Sequence, residues 1–271
     1  MVDQNPRFYP KTTTREVVKM KLLQKILLAA CVFTAFAPVA HAEKFFGSSS
    51  VSLLYSDDYE IFGSQKESAT VFTFENATAH NWGDTFFFID RYQVQGGSGN
   101  ADSTYGEFAP RLSLSWLSGQ DLGFGSVKDV YLAAQYEFDG GVEANNYMYG
   151  LGLGWDIPGF QYFNTNAYYV DNNTAFDTPD DWQLTVTWGA PFELGSALFL
   201  FDGFVDYSSG VSGGQSADLL INPQLKLDLG HFTGEAGVLY AGIEYSYWRN
   251  KFGSPNIDTE NAVSALVKFH F

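Results

Sequence analysis

The sequence of 271 residues is short of three things, and each shortage excludes a class of protein. It holds one cysteine, Cys31, so no disulfide can form within the chain, and cleavage after Ala42 would remove the only thiolate a metal could use. Beyond residue 42 it has no run of about 18 apolar residues, which excludes helical membrane spans. It is also poor in positive charge. Six of the 15 basic residues (Arg7, Lys11, Arg15, Lys19, Lys21 and Lys25) and two of the 31 acidic ones (Asp3 and Glu16) precede Glu43, leaving nine basic against 29 acidic residues. A surface so acidic repels phosphate backbones and argues against nucleic acid as a partner. The histidines beyond residue 42 are His80, His231 and His270, with no metal-ligand spacing among them.

What the amino end does contain is an export signal. Lys19, Lys21 and Lys25 supply a positive region, and residues 26–39 an apolar core interrupted only by Thr34. Ala40-His41-Ala42 then gives the small-x-small pattern of a cleavage site before Glu43. Cleavage is expected after Ala42, with Met20 as the initiator, because residues 1–19 fit no part of a signal. Residues 1–42 are thus read as the signal region and 43–271 as the folded domain. A competing reading takes Leu28-Ala29-Ala30-Cys31 as a lipobox with Cys31 acylated. Only about five apolar residues precede that cysteine, short of the usual ~7–15.

The folded part alternates. In residues 262–271 the positions Val263, Ala265, Val267 and Phe269 are apolar, and Ser264, Lys268 and His270 lie between them. This two-residue period gives an extended strand one apolar and one polar face. The same pattern recurs around Val51, Leu53 and Tyr55, around Leu112, Leu114 and Trp116, and around Val130, Leu132 and Ala134. Trp182, Leu184 and Val186 repeat it. About twelve strands are expected, near 48–56, 69–80, 84–95, 105–117, 128–139, 146–156, 160–171, 181–189, 196–208, 217–229, 236–248 and 261–271, with boundaries good to a few residues. Connections alternate between long acidic loops (56–68, 96–104, 139–145, 172–180, 208–216, 249–260) and tight turns such as Asn81-Trp82-Gly83. The 117–127 turn is the exception. The polar faces are short (Ser, Thr, Gln, Gly), where a water-exposed face would carry Lys and Glu. These features predict an all-β transmembrane antiparallel barrel with a polar lumen, because only a closed barrel satisfies a sheet's backbone in lipid. Aromatics such as Tyr147, Trp155, Trp182, Trp188, Tyr245 and Tyr247 fit the girdles of such a barrel.

The third strand breaks the rule, since Phe86-Phe87-Phe88-Ile89 puts aromatics on both faces before Asp90, Arg91 and Tyr92. If Asp90 faces the lumen, then Phe86, Phe88 and Tyr92 face it too. Lumenal rings suit a ligand with a flat apolar face, and stacking on a nucleobase is worth ~1–3 kcal/mol. The same rings could instead fill a narrow barrel. With Leu112 and Leu114 outward, Glu107 and Arg111 face the lumen, and Arg111 can bridge to carboxylates such as Glu75 or Asp90. That network either orients a sugar or merely neutralises buried charge. Lys226 and Lys268 occupy polar faces in the same way. Gly150-Leu151-Gly152-Leu153-Gly154 lies within a strand and opens no helix, so it is no dinucleotide fingerprint. Its glycines are expected to widen the lumen or admit a loop.

Phe74-Glu75-Asn76-Ala77, Trp82-Gly83-Asp84 and the run from Phe86 to Arg91 resemble the second hairpin of the nucleoside-specific channel-forming porins, the Tsx-like and OmpK-like family. Glu107-Phe108-Ala109-Pro110-Arg111-Leu112-Ser113, Asp121-Leu122-Gly123-Phe124-Gly125, Tyr147-Met148-Tyr149-Gly150-Leu151-Gly152 and Tyr245-Ser246-Tyr247-Trp248 continue the likeness in order. The resemblance implies a narrow twelve-stranded barrel in the outer membrane of a Gram-negative cell. It implies passive passage of nucleosides, with phage or colicin docking on the loops, and it carries over best at Glu75, Asp90, Glu107 and Arg111. The expected solute contacts are therefore Glu75, Phe86, Phe88, Asp90, Tyr92, Glu107 and Arg111. Expected partners are nucleosides, outer-membrane lipids and the barrel-insertion machinery, which would read the strand ending at Phe271. No cofactor, metal or catalytic residue is implied. A barrel hydrolase would need a histidine near the outer rim, and all three lie at the other end. A closed recognition barrel whose loops are the function is the alternative.

Overall fold

The computed structural model describes residues 42–60, 66–95, 102–140, 144–174, 178–211 and 214–271. Apart from Ala42, the expected signal region and Cys31 lie outside the described residues. The strands are β1 (Lys44–Glu60), β2 (Lys66–His80), β3 (Gly83–Gln95), β4 (Ser103–Ser113), β5 (Val127–Asp139) and β6 (Ala144–Trp155). They continue as β7 (Tyr162–Asp171), β8 (Asp181–Leu194), β9 (Ala197–Ser208), β10 (Asp218–Asp228), β11 (Leu239–Arg249) and β12 (Glu260–His270). Each pairs antiparallel with its chain neighbours, and β12 returns to pair with β1, so the sheet closes as a barrel. The twelve expected strands are the twelve observed.

Closure sets the orientation of every residue, because paired residues share a face. At the seam Val51 pairs with Phe269 and Leu53 with Val267, and all four stand outward and exposed. Their neighbours Ser52, Leu54, Leu266 and Lys268 point inward and are buried. Carried from strand to strand, the same parity puts Phe72, Phe108, Leu132, Leu151, Leu184, Leu225 and Ile243 on the exterior. An exterior this apolar is at home in a bilayer and nowhere else. Trp182 and Tyr147 stand exposed on it near the ends of their strands, as girdle residues do.

The packed interior is lumenal. Leu54, Tyr59, Ala69, Val71, Ala262 and Leu266 form one apolar cluster on the β12–β1–β2 wall, with Tyr92 and Val94 against it. Ala133, Met148, Tyr168 and Val170 form another on β5–β7. Both thicken the wall and narrow the bore. The glycines of β6 serve that packing rather than widening the lumen. A Cβ at Gly152 would stand 2.4 Å from Asn166 Oδ1, so the missing side chain is where Asn166 lies.

One segment departs from the expected strand. The Leu112, Leu114, Trp116 alternation stops at Ser113, and Leu114–Ser118 is a short helix, α1. Ser113 accepts from the Trp116 N–H as its N-cap, and Gly119 closes it at a left-handed φ of 68°. A capping serine and a terminal glycine outweigh three alternating residues.

Leu132 stands outward at mid-strand in β5. Leu132→Arg is expected to cost about 2–4 kcal/mol, the penalty for a cation facing lipid near the bilayer midplane. Urea unfolding in phospholipid vesicles measures it, and a loss below about 0.5 kcal/mol would show that this face does not meet lipid.

Candidate functional site

All seven expected contact residues face the lumen. Closed register requires it: Glu75 pairs with Phe88, Phe88 with Glu107, Phe86 with Ala109 and Asp84 with Arg111. Asp90 and Tyr92 share their parity on β3. The rings are not equivalent, however. Phe86 remains 39% exposed to the bore, the most open of the three. Phe88 lies between Phe86 and Tyr105, with centroid distances of 5.9 and 5.7 Å. Tyr92 turns its ring to Tyr59, 6.1 Å away and edge-on, within the apolar cluster. The β3–β4 wall thus presents an aromatic strip with Phe86 as its open end.

In the half nearer the short turns, each lumenal cation has its own carboxylate. Arg111 donates from Nε and Nη2 to both oxygens of Asp84, at 2.8 and 2.6 Å, and its guanidinium lies 4.5 Å from the Tyr131 ring centroid. Lys226 donates to Asp202 at 2.6 Å and to Gln224 at 2.8 Å. Lys268 is paired with Glu75, which also accepts from Ser50 at 3.0 Å. Arg111 therefore bridges neither Glu75 nor Asp90. Asp84 stands directly across the β3–β4 pair from it, whereas Asp90 is paired with Tyr105, three inward positions along the strand.

Above these pairs the charge is one-signed. Asp90, Glu107, Glu137, Asp206 and Glu244 all face the bore, and none is ion-paired among the described residues. Glu107 pairs across the strands with Glu137 and interacts electrostatically with Asp206 and Asp90. Asp90 in turn feels Glu244, which completes an acidic belt around the lumen. Neutral donors hold these groups: Thr73 on Asp90 at 2.5 Å, Tyr105 on Glu107 at 2.5 Å, Asn146 on Glu137 at 3.2 Å, Thr185 on Asp206 at 2.5 Å and Gln224 on Glu244 at 2.7 Å. At the outer mouth Lys251 turns inward onto Glu260 at 2.5 Å and sits 4.8 Å from the Trp248 ring. Such a lumen can offer a flat solute one open aromatic face beside an excess of hydrogen-bond acceptors.

Residues 50–264 match the model of a family described as nucleoside-specific channel-forming protein, Tsx. The chain belongs to that family. Outer membrane protein OmpK of Vibrio parahaemolyticus serotype O3:K6 is 29% identical over 144 residues, 47% of this chain and 52% of that protein. Nucleoside-specific channel-forming protein Tsx of Escherichia coli O157:H7 is 24% identical over 204 residues, 69% of this chain and 68% of that one. The chain thus spans about half the length of the OmpK relatives it matches. Among solved structures, the KdgM porin in complex with disordered oligogalacturonate aligns at a TM-score of 0.47 and 11% identity, covering 83% of this chain and 99% of that one. Family membership and the apolar-faced barrel make this an outer-membrane β-barrel protein.

Several lumenal groups escaped the reading of the sequence. Asp84 shares a strand and a parity with Asp90 and could have been found that way. Glu137, Asp206 and Glu244 sit on other strands, and only the register brings them to one belt. Glu107, Asp90 and Glu75, which the sequence did single out, divide between the belt and the ion pairs.

Arg111 is 8% exposed, so its removal leaves Asp84 charged in a largely enclosed position. Arg111→Ala is expected to destabilise the barrel by about 3–5 kcal/mol, and Asp84→Asn in the same chain to recover a large part. Thermal or urea unfolding of the single and double variants checks this. Equal losses in both would show that the pair is not what Arg111 supports.

Proposed function

We propose that the protein is a passive, substrate-selective channel for nucleosides, with the base stacking on Phe86 and Phe88 and the sugar hydroxyls donating to the neighbouring carboxylates. The observation that carries this reading is the open face of Phe86 beside Glu75, Asp90 and Glu107 on one lumenal wall. A ribose is rich in hydroxyl donors, and the acidic belt is rich in acceptors. The base supplies the flat apolar surface that a polar bore otherwise has no use for. Membership of a family described as nucleoside-specific and channel-forming agrees with this division of labour.

Single-channel recording in a planar bilayer tests it. Thymidine and adenosine are expected to block the current while free ribose is not. Phe86→Ala or Phe88→Ala should weaken that block roughly tenfold, the effect of losing one stacking partner. Steady conductance indifferent to nucleosides would end the nucleoside reading, and no conductance at all would favour a closed recognition barrel.

The acidic belt carries a second expectation. Rings of carboxylates favour cations in a narrow pore, so the channel should show a cation-selective reversal potential in a KCl gradient. Glu107→Gln with Glu137→Gln should move that potential toward zero. An unchanged potential would mean that the belt does not set the field in the bore.

A further inference from the structure

We infer that the segment joining β11 to β12 is a strap latched into the outer mouth by Lys251 on Glu260, and that its release widens the mouth. Glu260 opens β12 and shares the inward parity of Ala262, Ser264, Leu266 and Lys268. Trp248 pairs with Glu260 across the strands and Ser246 with Ala262, so both face inward as well. The chain leaving β11 folds back over this inner wall. Lys251 is 8% exposed, with its ammonium on the Glu260 carboxylate at 2.5 Å. That carboxylate is already oriented, since Ser246 Oγ donates to one oxygen at 2.6 Å and the Glu60 backbone N–H to the other at 3.0 Å. The ammonium also lies 4.8 Å from the Trp248 ring and 5.6 Å from that of Phe252. Phe252 in turn stands edge-on to Trp248, with ring centroids 4.9 Å apart.

The strap is held there against its backbone preference. Asn250 and Phe252 have φ of 52° and 57°, and among the described residues no other non-glycine has a positive φ. Asparagine tolerates this region, but a bulky phenylalanine adopts it only where its surroundings enforce it. The enforcing contacts lie on both sides of the turn. Asn250 Nδ2 donates to the Ala217 carbonyl at 2.7 Å, and the Ser216 N–H donates to the Gly253 carbonyl at 2.8 Å. These two bonds tie the turn to the chain entering β10, and Lys251 with Phe252 ties it to β11 and β12. Loss of an attachment leaves the backbone strain to favour the released arrangement. A loop that projected outward would leave the mouth to the barrel wall alone, whereas this one lays two large side chains over that wall.

Planar-bilayer recording in KCl alone compares the unmutated chain with the double variant Lys251→Met, Glu260→Gln. The double variant removes one charge of each sign, so the net charge of the mouth is unchanged and a change in conductance reports width. Its single-channel conductance should rise roughly 1.5-fold, while Lys251→Arg, which can keep the ion pair, stays near the unmutated value. Reductive methylation read by mass spectrometry gives a second readout. In the unmutated barrel it should modify the half-exposed Lys66 several-fold faster than Lys251, and Glu260→Gln should remove most of that difference. Heat-modifiable gel mobility reports whether each barrel has folded. Should the double variant not fold, Asn250→Ala cuts one tether, keeps both charges, and should raise conductance and Lys251 labelling together. Unchanged conductance in the folded double variant overturns the inference, and so does an equal rise in Lys251→Arg. Lys251 labelled as fast as Lys66 in the unmutated barrel overturns it too, since the latch would not be closed. If the unmutated chain is silent and the double variant conducts, the strap closes the mouth outright; silence in both overturns the inference.

Discussion

Pairing of β12 with β1 is the constraint from which the rest of the structure follows. Lipid offers no partner to an open sheet edge, so the strands either close or leave a row of backbone groups unsatisfied at several kcal/mol each. Closure through the Ser50–His270 to Tyr55–Ala265 pairs removes both edges at once. It also removes local freedom of orientation. When β1 and β12 share a register, the inward face of every intervening strand is decided, and a slip of one residue anywhere would turn a whole strand inside out.

This makes the acidic composition intelligible. The exterior cannot hold ionised groups at membrane depth, so charges within the strands collect in the lumen or at the rims. In the lumen three cations neutralise three carboxylates as Arg111–Asp84, Lys226–Asp202 and Lys268–Glu75. Breaking any of these would strand a buried charge, so they act as fixed structure. The carboxylates left over, Asp90, Glu107, Glu137, Asp206 and Glu244, are held only by hydroxyl, amide and phenol donors. Among the described residues none of the five is ion-paired.

The sequence revealed faces well and distances poorly, for a physical reason. Lipid imposes its demand residue by residue, so Val263, Val267 and Phe269 announce the parity of β12 on their own, and Leu112 announces that of Arg111. Stagger between strands is a property of the pair. Nothing in β3 or β4 alone says that Arg111 meets Asp84 instead of Asp90. The helix at Leu114–Ser118 was hidden differently. Leu112, Leu114 and Trp116 satisfy a strand pattern, and the competing signal is one serine side chain capping one N–H.

The arrangement of rings bears on how the bore would work under the proposed reading. A channel must bind its solute well enough to admit it and weakly enough to release it. A deep pocket with aromatics on both faces of the base would meet the first demand and fail the second. Here the rings are divided. Tyr92 is committed to the apolar cluster, Phe88 is flanked by Phe86 and Tyr105, and Phe86 keeps an open face. Phe86 can offer a base one side of a stack, of the order of 1–3 kcal/mol, with the other side left to water. Single-sided stacking binds in steps small enough to be undone by thermal motion, which is the form of attraction a passive gradient-driven path can use.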